Sequence, residues 1–263
     1  AEFSSGITQP AAFSVDPGLL VDPAGLEMRY DLEGIRYVQP YQDPSGCLSL
    51  RGDGEWNLRV HPPQPGQSLP VTLRIPLHCP GGQAAAGQLR YQDKDYPLAA
   101  AGGAMEASFP LDVAATSVGL TLVTRCGGQE PRELLLGTVT VEYDGFIYDL
   151  SGQPNPLLKR VAGAKVSLLA RDPGAPVGQE WKLWPAAGFH GQTNPQVTGP
   201  TGWYGFYPPP GQYRLLVEAE GYKAVYSSPE TLSGQAVMKT IGLEPGVAQP
   251  TAVPTRVPGR GIY

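Results

Sequence analysis

The residues of this 263-residue chain whose types could do chemistry are few: three histidines, three cysteines and scattered carboxylates. His78 and Cys79 are adjacent in an alternating stretch. On a strand their side chains point to opposite faces and cannot share a metal ion. His61 and His190 lie far from them in sequence. The spacings CxxC, HxxxH and HExxH do not occur, which leaves zinc without a recognisable ligand set. Asp144 and Asp149 could offer oxygens to calcium, but read more simply as strand-end and turn residues. GxSxG, GxGxxG and the phosphate-loop pattern are also missing. The reading is a non-enzymatic chain with no catalytic residue, no metal site and no cofactor.

Cysteine chemistry is the exception. Cys79 ends the stretch LRIPLHC and Cys126 ends LTLVTRC, each followed by a glycine-containing turn. Two cysteines at equivalent strand ends of one sandwich fall within disulfide reach. Two outcomes stay open: a Cys79–Cys126 bridge with Cys47 as a small buried hydrophobe, or three buried thiols. The sandwich reading favours the bridge. Binding chemistry is offered by aromatic residues on or beside a long loop: Trp181, Trp184, Phe189, Trp203, Tyr204 and Tyr207. Aromatic faces stack on the apolar C–H surfaces of sugars, and exposed patches of them mark binding sites. The competing reading is that they fill the end of a sandwich. Arg51-Gly52-Asp53 reads as the approach to an Asp53-Gly54 hairpin turn rather than as a recognition tripeptide.

These residues must be positioned by strands. Gly and Pro fill 63 of 263 positions, so long helices and coiled coils are excluded. Apolar residues make up 41%, including 13 Tyr, 6 Phe and 4 Trp, which is enough for a core and argues against disorder. Short alternating stretches recur between turns. Val71, Leu73, Ile75 and Leu77 share one face; Val118, Leu120 and Leu122 share another; Ala164, Val166, Leu168 and Ala170, then Tyr213, Leu215, Val217 and Ala219, do the same later. In those later stretches Lys165, Ser167 and Arg171, and Gln212, Arg214 and Glu218, face outward. A period of two marks half-buried antiparallel strands. Strands every 8–12 residues suggest sandwiches of immunoglobulin type. The only places where a helix could fit are 83–88 and 112–117.

The expected organisation is all-β: two consecutive β-sandwiches flanked by extended ends. Residues 1–33 read as an arm, with one strand near Leu26–Tyr30. Residues 34–143 form the first sandwich and 144–244 the second, with no linker between them and hence a fixed angle. Residues 245–263 are a Pro- and Thr-rich tail.

The second sandwich resembles the carboxypeptidase regulatory-like family of transthyretin-like domains. The resemblance rests on Gly145–Asp149 (GFIYD), Gly152-Gln153-Pro154, Gly163–Leu168 (GAKVSL), Thr198 with Gly202–Phe206 (GWYGF), Pro210–Val217 (PGQYRLLV) and Ala219–Tyr222 (AEGY), in that order. It covers about 100 residues. Insertions depart from the pattern at 155–160 and through 181–195. The resemblance implies a β-sandwich accessory domain without peptidase chemistry, of the kind found in large bacterial surface proteins.

The expected function is therefore an extracellular structural, scaffold or adhesive module of a bacterial surface. One version is a filament subunit whose arm, through Phe13, Val15, Leu19 and Leu20, adds to a sheet edge of a neighbouring copy. The alternatives are a carbohydrate-binding module using Trp181, Trp184, Trp203, Tyr204 and Tyr207, or an accessory pair of a larger secreted enzyme. Partners would be copies of itself, other surface proteins or polysaccharide. A net charge of −5 with scattered signs disfavours nucleic acid, and no apolar run is long enough to cross a membrane.

Overall fold

The computed structural model describes residues 13–16, 19–22, 25–42, 56–63, 67–111, 117–152 and 154–246. They form an all-β structure. One five-stranded sheet runs Ala99–Ala101, Ala104–Leu111, Leu69–Ile75, Glu27–Leu32, Ile35–Pro40, each strand antiparallel to the next. A second runs Asn57–Val60, Arg132–Val141, Ser117–Cys126, Ala85–Tyr91, Lys94–Pro97, with its first pair parallel. Alternation decides which faces meet. Val71, Leu73 and Ile75 of one sheet and Leu120, Leu122 and Leu136 of the other all belong to one buried cluster. The Tyr91 and Phe109 rings touch across it at 4.6 Å. Turn chemistry fits: Gly102 and Gly103, with φ of 53° and 78°, close the hairpin between Ala101 and Ala104 without the steric cost a side chain would carry.

A second cluster gathers Val166, Leu168, Leu215 and Val217 with Tyr204, Phe206 and Trp184. Its sheet runs Trp181–Leu183, Lys165–Arg171, Gly211–Glu218, Val225–Tyr226, with Gln196–Val197 and Glu230–Leu232 pairing alongside. Ile147–Asp149 pairs in parallel with Ile241–Leu243 to cover it.

The disulfide joins Cys79 to Cys126, with Cα atoms 5.5 Å apart. It lies where the Leu77–His78 strand and the Ser117–Cys126 strand end together. Cys47, the tripeptide 51–53 and tail residues 247–263 lie outside the described residues.

Several expectations need correction. Glu27–Leu32 sits between two other strands, not in an arm, and pairs with Ile35–Pro40 across a turn at Glu33-Gly34. A boundary at 33 therefore cuts a hairpin. The cause is the alternation of Met28, Tyr30 and Leu32, all buried. The segments holding Phe13, Val15, Leu19 and Leu20 form a hairpin within this chain, whose inner strand pairs Leu20 with His78 and Val21 with Leu77. Residues 85–91 are a strand, not a helix, because cross-strand partners on both sides satisfy their backbone. The loop 172–200 contains the short strands Trp181–Leu183 and Gln196–Val197.

Candidate functional site

Two places concentrate side chains of possible function: the junction between the two clusters, and the outer face of the second sheet.

The junction is built around His61, which follows the Asn57–Val60 strand and is fully buried. Its ring stacks on Trp203 at 4.7 Å and 15° and meets Tyr37 edge-on at 5.6 Å. Nε2 is 3.0 Å from the Tyr204 carbonyl and Nδ1 is 3.3 Å from the Glu142 carbonyl. Burial disfavours the imidazolium and lowers its pKa to about 4, against the pull of those two carbonyls. A neutral ring has one N–H, and the shorter contact assigns it to Nε2. Trp203 is carried there by its bridge to Phe146, and Phe146, Trp203 and Tyr207 all pack into the first cluster although they follow it in sequence.

Polar contacts tie the same seam. Tyr207 O–H donates to the Arg59 carbonyl at 3.0 Å, and Gln42 Nε2 donates to the Tyr207 carbonyl at 3.2 Å. The Glu33 carboxylate accepts from the Thr201 hydroxyl at 2.6 Å and from its N–H at 3.2 Å. His190 Nδ1 lies 2.8 Å from Oε2 of buried Glu27, which also takes Arg29. Burial pushes the Glu27 carboxyl up, but the bonds from His190 and Arg29 outweigh it and hold the pKa below its ordinary value. The Arg160 guanidinium lies over Phe146 at 3.2 Å and faces Trp203 at 4.9 Å. One of its nitrogens, Nη1, is buried without a partner.

Beside the seam is a cleft of ≈ 370 Å³ lined by Gln39, Asn57, Arg59, Tyr207 and Gln235 among others. Its amides are largely engaged. Gln39 donates to the Asn57 carbonyl and accepts from Arg59 N–H, and Gln235 bonds Ser233 twice. Gln42 Oε1 and Trp56 Nε1 are unpartnered, but both are sealed into the wall away from solvent.

The second place is the outer face of the sheet over the second cluster. Register places the outward residues side by side: Leu169 opposite Arg214 and Leu183, Arg171 opposite Trp181, and Leu216 opposite Tyr226. Arg214 is thus a diagonal neighbour of Tyr226 and faces Trp181 across the intervening Lys165–Arg171 strand. Its guanidinium carbon lies 4.7 Å from the Trp181 ring centroid and 4.6 Å from that of Tyr226. Arg214 Nε is buried without a partner. Tyr226 keeps 56% of its surface exposed and Leu183 49%, while Trp181 is half-buried. Arg171 donates to Gln212 Oε1 at 2.8 Å. Among the described residues, no carboxylate lies within ion-pair distance of Arg171 or Arg214.

These positions correct the sugar-stacking set read from the sequence. Trp184, Trp203, Tyr204 and Tyr207 are buried, so none offers a ring face to solvent. Trp184 packs on Phe189 and Tyr213; Trp203 and Tyr207 enter the junction; Tyr204 donates to the Lys239 carbonyl at 2.6 Å. Trp181 alone of that set reaches the surface. Its true neighbours, Arg214 and Tyr226, come from other strands. The outward position of Arg214 was legible from alternation, whereas Tyr226 sits on a two-residue strand too short to show a period.

Asp144 and Asp149 are not brought together at a metal site. Asp149 is buried and accepts from Lys159, from Ser151 N–H and O–H, and from Tyr222 O–H. Lys159 above all, with Ser151, keeps its pKa well below the ordinary carboxylate range. Asp144 takes the Thr240 hydroxyl. Among the described residues, no three of His, Cys, Asp and Glu converge as metal ligands, and no helix is long and apolar enough to cross a membrane.

Compared with known proteins, the chain matches no family model, no curated protein and no solved structure.

Proposed function

We propose that this chain is a non-enzymatic extracellular scaffold module of a cell surface, made of an immunoglobulin-like sandwich and a carboxypeptidase regulatory-like sandwich held at one angle. The observation that carries the reading is the junction. Trp203, Phe146 and Tyr207 are shared with the first core, and five hydrogen-bonded contacts lace its edges. A seam of buried aromatic rings resists the hinge motion that ordinary polar inter-domain contacts allow. The disulfide fits an oxidising compartment.

Small-angle X-ray scattering on the full chain tests this. One rigid envelope is expected; a distribution of inter-unit angles would reject the scaffold reading.

A second reading, self-assembly, is favoured by the pairing of Leu19–Val21 with Leu77–His78. The same acceptor strand would take the hairpin of a neighbouring copy by strand exchange. Truncation must stop before Leu26, because removing Glu27–Leu32 would take a strand out of the middle of its sheet. A truncated chain that still forms the oligomers of the full chain would rule this out.

A further inference from the structure

We propose that the outer face formed by Trp181, Arg171, Gln212, Arg214 and Tyr226 binds a carboxylated polysaccharide, a uronate-rich chain. The inference goes beyond the scaffold reading and does not depend on it.

The cation is the first argument. Arg214 is fixed between two rings, one on either side of it in the sheet, and has no carboxylate among the described residues. Arg171 stands one register step away on the same face and, among the described residues, its guanidinium donates to the Gln212 amide alone. A guanidinium already packed and oriented loses little freedom when it forks onto a carboxylate. Neighbouring acids are mostly spent. Glu218 pairs with Lys165, Asp172 with Lys182 and Glu230 with Lys239. The face therefore holds two guanidinium charges with no carboxylate partner among the described residues.

The rings are the second argument. Trp181 and Tyr226 leave ring surface exposed beside the cations, and Leu183 and Leu169 continue the apolar strip. A groove of ≈ 350 Å³ opens at the Arg171–Trp181 end of this face, lined also by Glu180, Gln212, Glu230 and Thr231, with Arg214 and Tyr226 lying outside its walls. A pyranose ring offers both halves of this chemistry: an apolar C–H face for an aromatic ring, and hydroxyls for Gln212 and Thr231. A uronate adds the carboxylate. Trp, Tyr and Arg are also enriched at protein interfaces, but a uronate answers the unpaired guanidiniums and the ring faces together, and failure to bind polygalacturonate is the outcome that leaves a protein partner. A nucleic acid is disfavoured by the net charge of −5.

One feature opposes the ligand. Glu180 also lines the groove, with its carboxylate accepting the Gly178 N–H and pairing with no cation among the described residues. Its repulsion gives the test a second arm.

The experiment is affinity electrophoresis and titration calorimetry of the full chain against polygalacturonate. The controls are its fully methyl-esterified form, neutral dextran and dextran sulfate. Polygalacturonate binding that weakens with salt is expected, with little retention by the ester or by dextran. Trp181→Ala and Arg214→Gln should each weaken it about tenfold, Arg214→Lys should rescue only part, and Glu180→Gln should strengthen it. Each variant is compared at equal thermal stability, so that a folding defect is not read as lost binding. No binding to polygalacturonate, or binding that the ester matches, overturns the proposal. So does equal binding to dextran sulfate that ignores Trp181→Ala, which would be charge attraction alone. Scattering from the same samples reads the scaffold separately, since a rigid envelope without binding would leave that reading standing.

Discussion

The two halves of the molecule use arginine in opposite ways. On the first sandwich, Arg29, Arg36, Arg59, Arg74 and Arg90 each meet a carboxylate. On the second unit, Arg160, Arg171 and Arg214 meet none among the described residues; two of them lie on aromatic rings and one on an amide. There the carboxylates go to lysines: Lys159, Lys165, Lys182, Lys223 and Lys239 are all paired. A guanidinium is planar and weakly hydrated, so it can leave water for a ring face where an ammonium cannot. Those five arginines of the first unit are thereby neutralised locally, while exposed Arg125 has no carboxylate within ion-pair distance among the described residues. The second keeps planar cations in reserve, one spent inside the junction as Arg160 and the others displayed as Arg171 and Arg214.

The junction is where that comparison breaks with the largest effect. Trp203→Ala removes a buried ring shared by the two cores. A loss of about 3–5 kcal/mol is expected in urea unfolding, with the single transition splitting in two. Opening the Cys79–Cys126 bridge acts on the first sandwich. The two cysteines are 47 positions apart in sequence. In the chain-entropy model their link is worth about 4 kcal/mol. Thermal melts with and without reductant should differ accordingly, and Cys79→Ser should reproduce the reduced value.

His61 gives the pH dependence. Its folded pKa of about 4 lies below the ordinary 6.5, so the unfolded chain binds the extra proton between those values. Its contribution is intact above pH 6.5 and falls as pH drops toward 4, by up to about 3 kcal/mol. Glu27, also shifted down, loses its contribution in the same direction as it protonates. Urea midpoints measured from pH 7.5 to 4 check this, and His61→Gln should flatten the curve. The smallest effects sharpen the contrast on the surface. Arg90→Ala breaks exposed pairs with Asp95 and Glu133 and should lower the urea midpoint only slightly, an effect that vanishes in high salt. Arg214→Ala should cost about 0.5–1 kcal/mol through its ring contacts, with weaker dependence on salt. Equal salt dependence of the two would erase the distinction drawn between the faces.

Much of the fold was legible in the residues. Period-two alternation placed Val71, Leu73 and Ile75, then Val166 and Leu168, on buried faces, and strand ends brought Cys79 to Cys126. The strand Glu27–Leu32 was legible only as a fragment, because flanking turn residues made its surroundings look like an arm. The site was less legible. Composition alone could not say that Trp203 and Tyr207 belong to a junction, since burial by another unit leaves no local period. Tyr226 needed the sheet register to stand beside Arg214.

The central claim is that the junction makes two cores one cooperative body. Hydrogen exchange at rising urea concentration, followed by mass spectrometry, measures it directly in peptides covering Leu69–Ile75 and Lys165–Arg171. The two strands should converge on the same unfolding free energy and the same urea dependence. Distinct plateaus, with one core opening while the other stays protected, would contradict the account.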